Sequence, residues 1–117
     1  MRNIIALILL VALTGCAVLS ETERSAYNES LEKAKTIIKS NKGVEVYKKY
    51  YWYTQHKAMA QSKVSSAGGY AKNMTSRDFA IEIALEQCHK RLLMRYDEIT
   101  DKVSCEIINV DNEWVNK

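Results

Sequence analysis

Apolar positions along this chain fall into several different periods, and each period points to a different element. From Ile4 to Leu13 ten apolar residues run without a break, well short of the about 20 that a membrane-spanning helix needs. Tyr27, Leu31, Ala34 and Ile38 then recur at i, i+4, i+7 and i+11. That stripe predicts an amphipathic helix over Ser20 to Asn41. Glu21, Glu23 and Glu29 sit early in it and Lys33, Lys35 and Lys39 late, the order that suits a helix dipole. Asn41-Lys42-Gly43 is expected to stop it.

The following stretch, GVEVYKKYYWYTQHKAMAQSK, fits two periods. Val44, Tyr47, Tyr50 and Tyr51 form a helical stripe, while the β-branched and aromatic content suits a strand equally. A second short helix over about 44–53 is expected, then a strand over 57–63. Residues 64–69 read as a turn and 69–72 as a returning strand. Thr75 or Ser76 serves as N-cap to a helix over 76–95, with Asp78 in its first turn. Its stripe is Ile81, Ala84, Leu85, Cys88 and Leu92, and the small Ala80 and Ala84 allow it to lie close against a sheet. After a polar connection over 96–102, VSCEIINV reads as a strand, with Val103, Cys105 and Ile107 on one face and Ile108 and Val110 on the other. Asp111-Asn112 ends it, and Trp114 is expected to fold back over the core edge. The fold class expected is α+β: one or two N-terminal helices, then a small antiparallel β-β-α-β sheet with one helix packed on it.

The first apolar run is preceded by Met1-Arg2-Asn3 and followed by Leu13-Thr14-Gly15-Cys16. A charged start, a short apolar stretch and small residues before a cysteine have the form of a secretory signal. Together they resemble the lipobox of bacterial lipoproteins. The resemblance implies that 1–15 is a cleaved signal peptide, that Cys16 carries a diacylglycerol on its sulfur and an N-acyl chain such as palmitate on its freed amine, and that 16–20 is a short tether. Ala17, rather than Asp, follows the cysteine, which in that family implies an outer-membrane anchor, with the domain facing the periplasm. Two or more acyl chains hold a protein stably at a membrane.

With Cys16 assigned to lipid, Cys88 and Cys105 are left in a compartment where disulfides persist. A bridge between them closes a loop of about 17 residues, worth roughly 3 kcal/mol in the chain-entropy model. The competing reading pairs the Cys88 thiolate with His89. Adjacent helix residues point about 100° apart, which places them poorly for proton transfer. The helix AIEIALEQC followed by the strand CEIINV also resembles small modules of proteobacterial secreted proteins, over about 57–115, a likeness that implies no activity. The expected organisation is thus a helical segment over 21–56 and an α+β domain over 57–117.

A formal net charge of +3, spread along 117 residues, lacks the clustered basic face of a nucleic-acid binder. The two histidines, His56 and His89, stand in no zinc-binding spacing. Asp97, Glu98 and Asp101 read as a solvated charge run. No catalytic residue, metal or soluble cofactor is expected, and the chain is not expected to be an enzyme. The sharper feature is KKYYWYTQHK. Tyr50, Tyr51, Trp52 and Tyr53 cannot all face one way, so some are expected on the core side of a helix and at least one outside it. Outward rings suit a protein interface or, less well, the sugars of peptidoglycan. The function expected is a structural or accessory part of an envelope assembly, contacting a protein partner or a second copy. The alternative is a lipoprotein inhibitor, or immunity-type protein, of a soluble periplasmic hydrolase.

Overall fold

The computed structural model of the chain describes residues 19–115. The expected signal peptide and the lipidated Cys16 lie outside the described residues. Two helices come first, α1 (Glu21–Ile37) and α2 (Asn41–Tyr50). Ser20 caps α1, its Oγ accepting from the Glu23 N–H at 3.1 Å. The chain then turns through an extended Ile38 and restarts at Ser40, whose Oγ accepts from the Gly43 N–H at 3.0 Å. Asn41-Lys42-Gly43 therefore opens a helix and does not stop one. The expected boundaries shift because a serine three residues before an otherwise free N–H is a helix start.

The sheet holds β1 (Ala58–Ser62), β2 (Gly68–Ala71), β3 (Cys105–Val110) and β4 (Glu113–Trp114) in the order β2-β1-β3-β4, every pair antiparallel. Between β2 and β3 runs α3 (Arg77–Leu92), capped by Ser76. The architecture is α+β as expected, with one strand more than expected. Asp111 and Asn112, at φ 48° and 69°, form the two-residue loop between Val110 and Glu113. Positive φ at both loop positions is what a type I′ hairpin turn requires.

Both faces of the sheet are covered. On one lies α3, whose Ala80, Ala84, Cys88 and Leu92 are buried against Ala58, Ala60, Ala71 and Val110. The line of closest approach is the small-residue one, and Ile81 and Leu85 flank it, half-buried. This approach makes glycine necessary at position 69 of β2: a Cβ there would stand 2.6 Å from the Cys88 nitrogen and 2.7 Å from the Ala84 carbonyl oxygen. The Cys88–Cys105 disulfide is formed, with Cα atoms 6.2 Å apart, and joins α3 to the first residue of β3. Beside it the Cys105 N–H donates to His89 Nε2 at 2.9 Å, so His89 is a backbone acceptor and no partner to a thiolate.

The opposite face carries α1 and α2 through Ala34, Tyr47, Tyr50, Met59 and Ile108. Residues 21–56 thus share a core with the sheet. Gln61 of β1 locks the α1–α2 corner to it, Nε2 donating to the Ile37 carbonyl at 3.1 Å while Oε1 accepts from the Lys39 N–H at 2.9 Å. A bulge in the β1–β3 pairing corrects the expected facing of β3. Ala60 opposes Ile107 but Met59 opposes Asn109, so Ile108 is the extra residue. Val110 consequently returns to the α3 face with Cys105 and Ile107, and leaves Ile108 on the other.

Candidate functional site

The aromatic run at the end of α2 disperses into three places. Tyr50, at 0% exposure, is core: its hydroxyl donates to Asn109 Oδ1 at 3.1 Å, and burial pushes its phenol well above the ordinary range. It therefore leaves the set of partner-contacting candidates. The helical period that carries Tyr47 inward carries Tyr50 inward with it, one turn on. Tyr53 turns toward the sheet edge, stacked on Tyr70 at 6.1 Å with Lys72 Nζ 4.0 Å above its ring.

Tyr51 and Trp52 remain, and α1 supplies a third ring. Tyr27 lies 5.0 Å from Tyr51 and 5.1 Å from Trp52, and Tyr51 meets Trp52 edge-on at 4.8 Å. Trp52 is 49% exposed, whereas Tyr27 and Tyr51 are half-buried. Beneath this cluster Tyr47 stacks on Trp114 at 4.9 Å and shares a hydrogen bond with Ser30. Burial raises the Tyr47 phenol as well. The expected return of Trp114 over the core edge is what makes this floor.

The segment is held from inside by a buried ammonium. Lys57 is 1% exposed, and its Nζ donates to the carbonyls of Tyr50, Tyr51 and Tyr53 at 3.0, 2.7 and 2.9 Å. Three donors thus meet carbonyls at or just past the end of α2, where the helix dipole favours a cation. Desolvation lowers the Lys57 pKa to about 8, against the attraction of Asp111, so it stays charged at neutral pH. Asp111 closes the network, its Oδ1 accepting from the Lys57 N–H at 2.9 Å and its Oδ2 meeting His56 Nδ1 at 2.8 Å. Burial opposes the Asp111 charge, but those hydrogen bonds outweigh it and hold the carboxyl below its usual range. Asn112 adds a bond from Nδ2 to the Tyr51 carbonyl at 3.0 Å. The β3–β4 turn and the first residue before β1 therefore fix where Tyr51 and Trp52 stand.

Periodicity places Tyr27 on a stripe but not beside Trp52, and nothing in the sequence distinguishes Lys57 from a surface lysine. Among the described residues, no hydroxyl or thiol is hydrogen-bonded to the His56 side chain, and no three His, Cys, Asp or Glu side chains gather as a metal site. No described helix is long and apolar enough to cross a membrane. What the geometry offers is a rigid, partly exposed aromatic surface suited to contact. Comparison with known protein families, curated proteins and solved structures returns no match.

Proposed function

We propose that the chain is a lipid-anchored accessory protein of the bacterial cell envelope, tethered through Cys16 to the outer membrane and docking a protein partner with the Tyr27–Tyr51–Trp52 surface. One observation carries the docking half of this reading: Trp52 is half exposed yet held in a ring cluster whose backbone is clamped by Lys57. A pre-ordered tryptophan loses little freedom on binding, and such residues are the usual anchors of interfaces. Sugar stacking suits the cluster less well, because Tyr27 covers one side of the Trp52 ring at a 36° tilt and Tyr51 meets it edge-on. The anchoring half rests on the lipobox.

The test is capture of the tagged, lipidated protein from gently solubilised membranes, with mass spectrometry of what accompanies it. A stoichiometric set of envelope proteins, lost on Trp52→Ala, is expected. Retention of the same set by Trp52→Ala refutes the docking surface. A single soluble hydrolase would replace the accessory role with that of an inhibitor. Cys16→Ala should release the protein from the membrane fraction; continued membrane residence refutes the anchor.

A further inference from the structure

The sheet ends at β2, and the edge it leaves is shaped for another strand. The Ser62 N–H donates to the Ala67 carbonyl at 2.8 Å. Continued through the register, that pairing makes Ala60–Gly69 and Ala58–Ala71 the hydrogen-bonded pairs. The N–H and C=O groups of Gly68 and Tyr70 consequently point away from β1. The Gly68 carbonyl is taken by Arg91 Nη1 at 2.6 Å. The Gly68 N–H and both groups of Tyr70 have no partner among the described residues.

A cavity lies on each side of this edge. On the α1–α2 side a space of about 430 Å³ is floored by Met59 and Ile108 and walled by Ile38 and Val46. On the α3 side a second, of about 400 Å³, lies against Ile83 and Gln87. Tyr70 and Arg91 line both. Side chains alternate between faces along a strand, so a segment added here would send alternate residues into the two cavities. Lys42 reaches the first cavity, Lys72 the second and Arg91 both, and no carboxylate lines either.

We infer that the β2 edge takes an extended, acidic segment of a partner polypeptide by strand addition, its apolar residues entering the α1–α2 cavity and its carboxylates facing Arg91 on α3. Main-chain hydrogen bonds supply affinity in this mode and the flanking pockets supply selectivity. A second copy of this chain fits less well, since pairing β2 with β2 would set Arg91 and Lys72 against their own counterparts. This surface is separate from the Trp52 cluster and does not depend on it.

The experiment uses the full chain in detergent and fluorescence anisotropy with an end-capped octapeptide of alternating valine and glutamate. A valine–lysine octapeptide and an N-methylated glutamate octapeptide serve as comparisons. The glutamate peptide is expected to bind at least tenfold more tightly than either. Arg91→Glu, and independently Lys72→Glu, should reverse the preference between glutamate and lysine peptides, while Trp52→Ala leaves binding unchanged. Circular dichroism confirms that each variant is folded. Equal binding of the three peptides, or no binding by the glutamate one, overturns the proposal. So does a concentration-dependent dimer that the glutamate peptide fails to dissociate, which would assign the edge to a second copy.

Discussion

Gly69→Ala is the substitution whose cost the structure makes most definite. The added methyl group would lie 2.6 Å from the Cys88 nitrogen, 2.7 Å from the Ala84 carbonyl oxygen and 2.8 Å from Gln87 Cβ. Two of these are backbone atoms of α3, so no rotamer relieves the overlap. Restoring ordinary contact requires α3 to withdraw by about 0.7 Å, and a radial gap of that size forfeits a quarter to a half of each van der Waals contact across it. The contacts at risk are those of Ala80, Ala84, Cys88 and Leu92, all essentially fully buried, and the disulfide resists the shift. Overpacking of this kind costs typically about 1–3 kcal/mol, and the backbone obstacle puts Gly69→Ala at the upper end. For a domain of this size each kcal/mol moves Tm by about 4–8 °C, so a fall of at least about 10 °C is expected in thermal unfolding followed by circular dichroism. Gly43→Ala is the internal control. Its nearest obstacle, Ile38 Cγ2 at 2.5 Å, is a methyl group on a partly exposed side chain that can rotate. Alanine also favours the helix by about 1 kcal/mol, so Gly43→Ala should be neutral or stabilising. Equal Tm values for Gly69→Ala and the wild type, or equal losses for the two variants, would refute the close approach of α3 to β2.

Reducing Cys88–Cys105, or replacing both cysteines by serine, should lower unfolding stability by roughly 3 kcal/mol; identical urea midpoints with and without reductant would contradict this. Lys57 holds its proton to about 8 in the fold against 10.5 when free, so between those values the unfolded chain binds more protons and stability rises with pH, by at most about 3 kcal/mol. Above about pH 10 the sign reverses, because the Tyr47 and Tyr50 phenols are raised by burial and the unfolded chain loses its phenol protons first. Denaturant titrations should therefore show a maximum at about pH 10, and Lys57→Met should remove the rise while leaving the fall; an unchanged profile in that variant counts against the buried ammonium. Tyr50→Ala should cost about 3–5 kcal/mol as a core truncation, whereas Trp52→Ala, which removes a half-exposed ring and its contacts with Tyr27 and Tyr51, should cost less, about 1–2 kcal/mol, a contrast that a single set of melting curves decides.

The parts of the fold that were legible in the sequence are those set by local chemistry. The stripe Tyr27–Leu31–Ala34, the N-cap at Ser76 and the closeness conferred by Ala80 and Ala84 each depend on residues a few positions apart, and each is present, while Ile38 falls just past the end of α1. The Cys88–Cys105 bridge was legible only through the resemblance that removed Cys16 from the count. Features set by the opposing chain were not. The bulge at Ile108 exists because β1 pairs on both sides of it, and it reverses the facing of Val110 with no mark in CEIINV itself. Lys57 is buried because the chain leaving α2 curls back over it, a tertiary event that overrides the usual exposure of lysine. The candidate surface was half legible: consecutive aromatics had to divide between inside and outside, but which ring went where depended on α1 supplying Tyr27.

The disulfide has a further consequence for the connection between α3 and β3. Residues 93–104 form a largely exposed arc, with Met94 at 83% and Ile99 at 37% exposure, and Cys88 and Cys105 bind its two sides together at the base. A peptide bond cut anywhere in that arc yields two polypeptides that remain one covalent molecule. The C-terminal one contributes β3, which lies between β1 and β4, so the cut product keeps its sheet as well as its bond. In surroundings rich in proteases, the arc can be severed without the molecule coming apart.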